Sequence, residues 1–169
     1  VKKAFLVCIG KIKPVPYDEL VRQREALVRH PDDLSYRPLV SFIIPVYNIE
    51  DRFLRPCLDS CMSQTYENFE VCISDDNSSL PSVKETLSEY EAKYDNFHVV
   101  YRSENGRISE NTNSALSIAK GEFIALVDDD DTLEPYSLLE MVRYLNDHPD
   151  TDMVYSDEDM AAYGLPVTS

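Results

Sequence analysis

The sequence predicts an α/β fold built on a parallel sheet with helices on both faces. Three observations predict it. Apolar runs of strand length alternate with helical stretches of about 10–15 residues, the pattern of right-handed βαβ units. The runs are almost continuous and rich in β-branched residues, as in strands buried on both faces. They also end abruptly in carboxylates, at the C-terminal strand ends where open α/β sheets place their ligands.

Residues 1–37 read as a lead-in segment and residues 38–169 as the domain proper. In the lead-in, Pro16 to Pro31 carries Leu20, Val21, Ala26 and Leu27 at helical spacing, and Pro31 stops the helix. Val40 to Val46, V-S-F-I-I-P-V, is a central strand. Pro45 has no N–H to give a ladder, so this strand is expected to end there. A helix follows from about Asp51 to Gln64, with Phe53, Leu54, Cys57, Leu58, Cys61 and Met62 inward. Phe69 to Ser74 is the second strand, and it runs straight into Asp75-Asp76-Asn77-Ser78-Ser79. Pro81 to Tyr94 is the next helix, and Phe97 to Tyr101 the third strand. Past the polar loop Arg102 to Arg107, a helix from about Ser109 to Lys120 ends at Gly121, which suits a C-terminal cap. Phe123 to Val127 is the fourth strand, ending in Asp128, Asp129, Asp130 and Asp131. Pro135 opens a helix running to about Asn146, and Met153 to Ser156 reads as a fifth strand ending in Asp157-Glu158-Asp159. Acid at the ends of strands two, four and five then converges on one rim.

Composition excludes several functions. A formal net charge of −15 argues against a nucleic-acid backbone as the main partner, because such binders concentrate Lys and Arg. No run approaches the roughly 20 apolar residues of a membrane span. Val1 to Gly10 holds two lysines and a short apolar run without a cleavage pattern, so secretion is unsupported. The four cysteines, at 8, 57, 61 and 72, form neither a disulfide framework nor a zinc-site spacing, and reduced thiols are expected. The glycines are Gly10, Gly106, Gly121 and Gly164, which rules out G-x-G-x-x-G and the P-loop.

The acidic rim has two readings. Four consecutive carboxylates repel, and a hard divalent cation offsets that cost while leaving positions for water or phosphate. Alternatively the run is a solvated turn in which Asp131 and Thr132 cap the following helix. An EF-hand fails, because Leu133, Glu134 and Pro135 occupy the middle of the loop where glycine is required. Tyr47 supplies an aromatic face just past strand one, and Asp76 a carboxylate able to accept from a base NH or a ribose hydroxyl. Each also reads as ordinary packing or turn chemistry.

Four ordered blocks carry a resemblance: V-S-F-I-I-P-V-Y-N at 40–48, D-S-C-M-S-Q-T-Y-E-N-F-E-V-C-I-S-D-D-N-S at 59–78, E-N-G-R-I-S-E-N-T-N-S-A at 104–115, and A-K-G-E-F-I-A-L-V-D-D-D-D-T-L-E-P at 119–135. Over about residues 38–160 the chain resembles family 2 glycosyltransferases of the GT-A fold, a Rossmann-like parallel sheet flanked by helices. The resemblance implies roles residue by residue. Pro45 and Tyr47 would lie at the nucleotide, Tyr47 against the base, and Asp76 would take the base's ring NH with Asp75 supporting the turn. Asp128 and Asp130 would hold Mn²⁺ or Mg²⁺, Asp130 as the principal ligand, and Asp129 would face the ribose. Gly106 belongs to the N-x-G block, and Asn113 matches an asparagine near the donor sugar or phosphates. Arg107 stands where the family often has glycine, a departure that puts a cation in reach of phosphate.

The implied reaction is inverting transfer of a sugar from a nucleotide-diphospho-sugar, a UDP-sugar foremost, to a hydroxyl of a saccharide acceptor. A carboxylate base would deprotonate that hydroxyl. Y-S-D-E-D at 155–159 resembles the end of the donor-binding half in members that build cell-surface polysaccharides, which implies a cytoplasmic protein working at the inner face of the membrane. In such relatives the base and acceptor site follow that point, so the chain is expected to be a truncated donor half, inactive alone. Val1 in place of an initiator methionine points the same way, and surface uncovered by a missing half would favour self-association. A reading of different class is a non-catalytic nucleotide-binding or scaffolding module with the same fold. A phosphoacceptor receiver domain would need an acid after Phe97 to Tyr101, where there is none. A cytidylyltransferase would need a glycine-rich, basic first loop, which Tyr47 to Arg52 does not supply.

Overall fold

The computed structural model describes residues 3–4, 34–156, 160–162 and 165–167. In chain order the elements are β1 (Lys3–Ala4), β2 (Val40–Val46), α1 (Asp51–Met62), β3 (Phe69–Asp75), α2 (Pro81–Lys93), β4 (Phe97–Tyr101), α3 (Arg107–Ile118), β5 (Phe123–Leu126), α4 (Ser137–Asp147), β6 (Met160–Ala162) and β7 (Leu165–Val167). The first five strands form one sheet in the order β1-β5-β2-β3-β4, all paired parallel. β6 and β7 pair antiparallel as a separate two-stranded unit. The expected helix at Pro16 to Pro31 lies outside the described residues, as do Asp157, Glu158 and Asp159.

Continuous apolarity at 40–46 and 69–75 is explained by burial on both faces. Phe42, Ile44, Val46, Val71 and Ile73 pack with Leu54 and Leu58 of α1, Leu87 of α2 and Leu138 of α4. On the opposite face Ile43 and Cys72 meet Ala115 of α3 and Ala119. The chain steps outward from β2 through β3 to β4 with α1 and α2 on one face. It then returns past β2 to lay down β5, and right-handed crossover puts α3 on the other face. The direction of winding reverses between β2 and β5, so a crevice opens at their C-terminal ends.

Pro45 shapes that crevice, and it acts on one side of β2 only. The strand does not end at Pro45 but runs to Val46, paired with Asp75 of β3. Even-numbered residues of β2 serve β3: Val40 donates to the Asn68 carbonyl and Val46 accepts from Asp76. Odd-numbered residues face β5, where the Ile43 carbonyl accepts from Val127. Pro45 is the next odd residue and has no N–H, so pairing with β5 stops at the Ile43–Leu126 rung while the β3 ladder continues.

Two other expectations are corrected. Met153 to Ser156 keeps the alternation of a strand, with Val154 buried and Met153 and Tyr155 exposed, but it joins no ladder and is irregular. Among the described residues, acid therefore converges on the rim from β3 and β5 and not from a third strand. Phe53 faces outward on α1, 40% exposed, with the Arg52 guanidinium 4.6 Å from its ring centroid.

At the other end of the sheet a buried carboxylate closes the turn between α3 and β5. Glu70 accepts from the Ser41 hydroxyl at 2.6 Å and from the Lys120 and Gly121 amides at 2.5 and 3.1 Å. Gly121 has no room for a side chain, since a Cβ would stand 2.7 Å from the Ser41 nitrogen and from the Phe123 carbonyl oxygen. Burial alone would raise the Glu70 carboxyl, but these hydrogen bonds outweigh it and hold it below its ordinary 4.5. A depressed folded value contributes stability that is complete above pH 4.5 and is lost as pH falls through the folded value. Glu70→Gln is therefore expected to melt earlier than the parent at pH 7. Thermal melts at pH 7 and pH 3 should show the gap closing in acid.

Candidate functional site

The acidic residues leave β5 as a tight turn in which the Asp131 amide donates to the Asp128 carbonyl at 3.2 Å. Asp128 and Asp130 are exposed on it, and Asp129 is half-buried. Across the crevice, the Tyr47 amide donates to an Asp129 carboxylate oxygen at 3.3 Å, joining the ends of β2 and β5. Burial, with the charges of Asp130 and Asp128 adding to it, pushes the Asp129 carboxyl up to about 6, although the Tyr47 amide pulls the other way. Tyr47 is 50% exposed beside this turn.

Asp76 occupies the centre of a second arrangement. Its side chain is 2% exposed and accepts from the Gly106 and Arg107 amides, both at 2.9 Å, so it caps the start of α3. The Arg102 Nε stands 2.8 Å from the same carboxylate as an ion pair, with its N–H not aimed along the contact. A Cβ on Gly106 would meet the Arg102 Nη2 at 2.3 Å and the Glu110 Cβ at 2.6 Å, so glycine permits this close approach. Asp75, beside it, accepts from the Ser78 amide at 3.1 Å and shapes the following turn.

Helix α3 starts at Arg107, two residues earlier than its sequence pattern predicts, and Arg107 takes a φ of +64°. The loop thus follows a path suited to glycine although arginine occupies it, at a cost of about 1 kcal/mol. Among the described residues no carboxylate pairs with its guanidinium, which stays exposed at the rim. Arg107→Gly is expected to raise the melting temperature, gaining about 1 kcal/mol by relief of that strain. Differential scanning calorimetry would measure it.

The asparagines of this helix divide. Asn113 is exposed, whereas Asn111, two residues and about 200° round the helix from it, is buried and donates to the Val46 carbonyl at 3.1 Å. Asn111 therefore reaches the end of β2, a contact the sequence did not single out. Its signal was periodic: Asn111 shares the inward stripe of Ala115 and Ala119. Asn48, at φ +50°, accepts from the Ser79 and Leu80 amides at 2.7 and 3.1 Å, linking the loop after β2 to the start of α2.

The acidic turn fits a hard divalent cation held by one or two protein oxygens. Its donors are exposed carboxylates under mutual repulsion, the set that Mg²⁺ and Mn²⁺ take together with phosphate and water. It is not an all-protein cage, since among the described residues no three His, Cys, Asp or Glu side chains converge closely enough to hold an ion. Cys57, Cys61 and Cys72 are buried thiols outside any disulfide, while Cys8 lies outside the described residues.

Comparison with known proteins decides the family. The model for glycosyl transferase family 2 matches residues 41–158. The chain belongs to glycosyltransferase family 2. The glycosyltransferase chain is 33% identical over 136 residues to the O-antigen biosynthesis protein RfbC of Myxococcus xanthus, covering 80% of this chain and 10% of that one. It is 40% identical over 108 residues to the poly(ribitol-phosphate) beta-glucosyltransferase of Bacillus spizizenii, covering 62% of this chain and 17% of the other. The chain thus spans a small part of the length of these relatives. Among solved structures it resembles S. aureus TarS 1-349 in complex with UDP-GlcNAc, with a TM-score of 0.59 and 29% identity over 65% of this chain and 32% of that one. The mannosyltransferase PcManGT from Pyrobaculum calidifontis, in complex with GDP-Man and Mn²⁺, shares the fold at a TM-score of 0.61 and 24% identity, over 79% of this chain and 40% of the other. The glycosyltransferase sheet is accordingly the Rossmann-like GT-A one. No described helix is long and apolar enough to cross a membrane.

Proposed function

We propose that residues 38–169 are the donor- and metal-binding half of an inverting glycosyltransferase, with residues 1–37 leading into it. The reaction is transfer from a nucleoside-diphosphate sugar, a UDP-sugar first, to a saccharide hydroxyl in cell-surface polysaccharide synthesis on the cytoplasmic side of the membrane. One observation carries this reading: Tyr47 and Asp129 are joined across the crevice where the winding of the sheet reverses, with Asp128 and Asp130 beside them. Likeness to a chain solved with UDP-GlcNAc supports UDP as the first nucleotide to try.

In this reading Tyr47 offers its ring to the base, and Asp129 faces the ribose. Asp128 and Asp130 hold Mn²⁺ or Mg²⁺, which when bound stabilises the negative charge of the departing diphosphate. Arg107 adds a cation at the same rim. Asp76 already accepts two amides and faces one guanidinium, so its main work is to seat α3, with spare acceptor capacity for a base NH. Asn113, exposed on α3, is kept as a contact to the sugar or phosphates. The base that deprotonates the acceptor is assigned to no described residue.

Calorimetric titration of the chain with UDP, with and without Mn²⁺, tests the reading. Mn²⁺-dependent binding is the expected result. A folded chain that binds none of UDP, GDP, dTDP and CDP, with or without the ion, would overturn it in favour of a scaffolding module.

A further inference from the structure

The segment from Asp128 to Tyr136 has no regular secondary structure, yet it carries the charges that must face one ion. Within its own backbone the Asp131 amide closes the acidic turn on the Asp128 carbonyl, and the Ser137 amide leads into α4 on the Glu134 carbonyl. Besides the Tyr47 amide on Asp129, the segment is supported from the second half of α1 and the residues just after it.

Cys57 donates its thiol to the Asp128 carbonyl at 3.4 Å. Ser60 accepts the Leu133 amide at 3.0 Å while donating to the Cys57 carbonyl at 2.7 Å. Gln64 donates to the carbonyls of Ser60 and Glu134 at 3.0 and 2.9 Å and accepts the Leu138 amide at 3.0 Å. The Thr65 amide completes the row on the Pro135 carbonyl at 2.7 Å. A spacing of three puts 57 and 60 on one helical stripe, Gln64 continues it two residues past the end of α1, and the row meets the segment from its first charged residue to the first turn of α4. Gln64 is 7% exposed, and reversing its amide would set its oxygen against two carbonyls and its NH₂ against an N–H, so its orientation is determined.

We propose that Cys57, Ser60 and Gln64 are positioning residues which hold the acidic turn against its own repulsion, so that cation affinity at Asp128 and Asp130 is set in part by α1. This rests on the donor-site reading, and its test separates the two. Ser60→Ala and Gln64→Leu each remove contacts to the segment without touching a carboxylate, and Gln64→Glu keeps the acceptor for Leu138. Hydrogen exchange on the ligand-free 169-residue chain should show faster exchange at Leu133 and Leu138 in the two disruptive variants. Manganese titration in the presence of UDP, followed by the spectrum of free Mn²⁺, should show about tenfold weaker ion binding. UDP binding in EDTA should be unchanged, and Gln64→Glu, which sets a carboxylate oxygen against the Ser60 and Glu134 carbonyls, should lose ion affinity as Gln64→Leu does.

Wild-type exchange rates and wild-type manganese affinity in folded Ser60→Ala would overturn the proposal even if Gln64→Leu fails to fold. A parent chain that binds no Mn²⁺ with UDP would overturn the donor-site reading and with it the claim on ion affinity. Hydrogen exchange would still decide whether α1 positions the turn.

Discussion

Asp130→Ala is expected to weaken UDP binding in the presence of Mn²⁺ by roughly 100-fold or more, because residues that merely orient a metal ligand already cost 10–100-fold. Calorimetry with and without the ion measures this, and binding in EDTA should barely change. The same substitution should act in the opposite direction on the ligand-free fold. Asp130 and Asp128 are among the causes that hold the Asp129 carboxyl up near 6, and a raised folded value means the ionised turn is destabilising at neutral pH. Its stability therefore rises as pH falls through 6 and levels off below the unfolded value of 3.8. Removing Asp130 lowers the repulsion, so the variant should be slightly more stable at pH 7 and should gain less on acidification. A variant that loses both fold and binding would show that Asp130 is structural.

Asp76→Ala should produce the largest loss of stability among the rim residues, about 3 kcal/mol, because it removes together the counter-charge of a mostly buried guanidinium and the acceptor of two part-buried amides. The affected groups are Arg102, Gly106 and Arg107, so the damage falls on the junction of β4 and α3. Urea unfolding measures it. Asp76→Asn keeps one acceptor for the amides but not the charge, and should fall between the two. An Asp76→Ala chain as stable as the parent would remove the carboxylate from the seating of α3 and return it wholly to the ligand.

Much of this fold was legible because its central strands are buried on both sides. The runs at 40–46 and 69–75 have no solvent face to blur their limits, and turn residues bound them. Legibility failed where a tertiary partner decides. Met153 to Ser156 has the alternation of a strand, but alternation reports one buried side and says nothing about a neighbour to pair with. The early start of α3 depends on a left-handed arginine, a conformation that residue identity argues against. Ser60 within α1 and Gln64 just past its end are unremarkable as residue types in those places. Their signal was position, since polar side chains continuing the stripe of Cys57 and Cys61 had to bond something inside. Of the acidic site, the charges and their place at a strand end could be read directly, whereas the contact between Tyr47 and Asp129 required the crossing of the chain.

Proline at position 45 makes the gap between β2 and β5 a property of the covalent chain. A mouth kept open only by packing narrows when neighbouring side chains shrink or shift. Here no repacking can supply the amide that would extend the ladder past Ile43. Helices α1 and α4 can then vary in sequence without the entrance zipping shut.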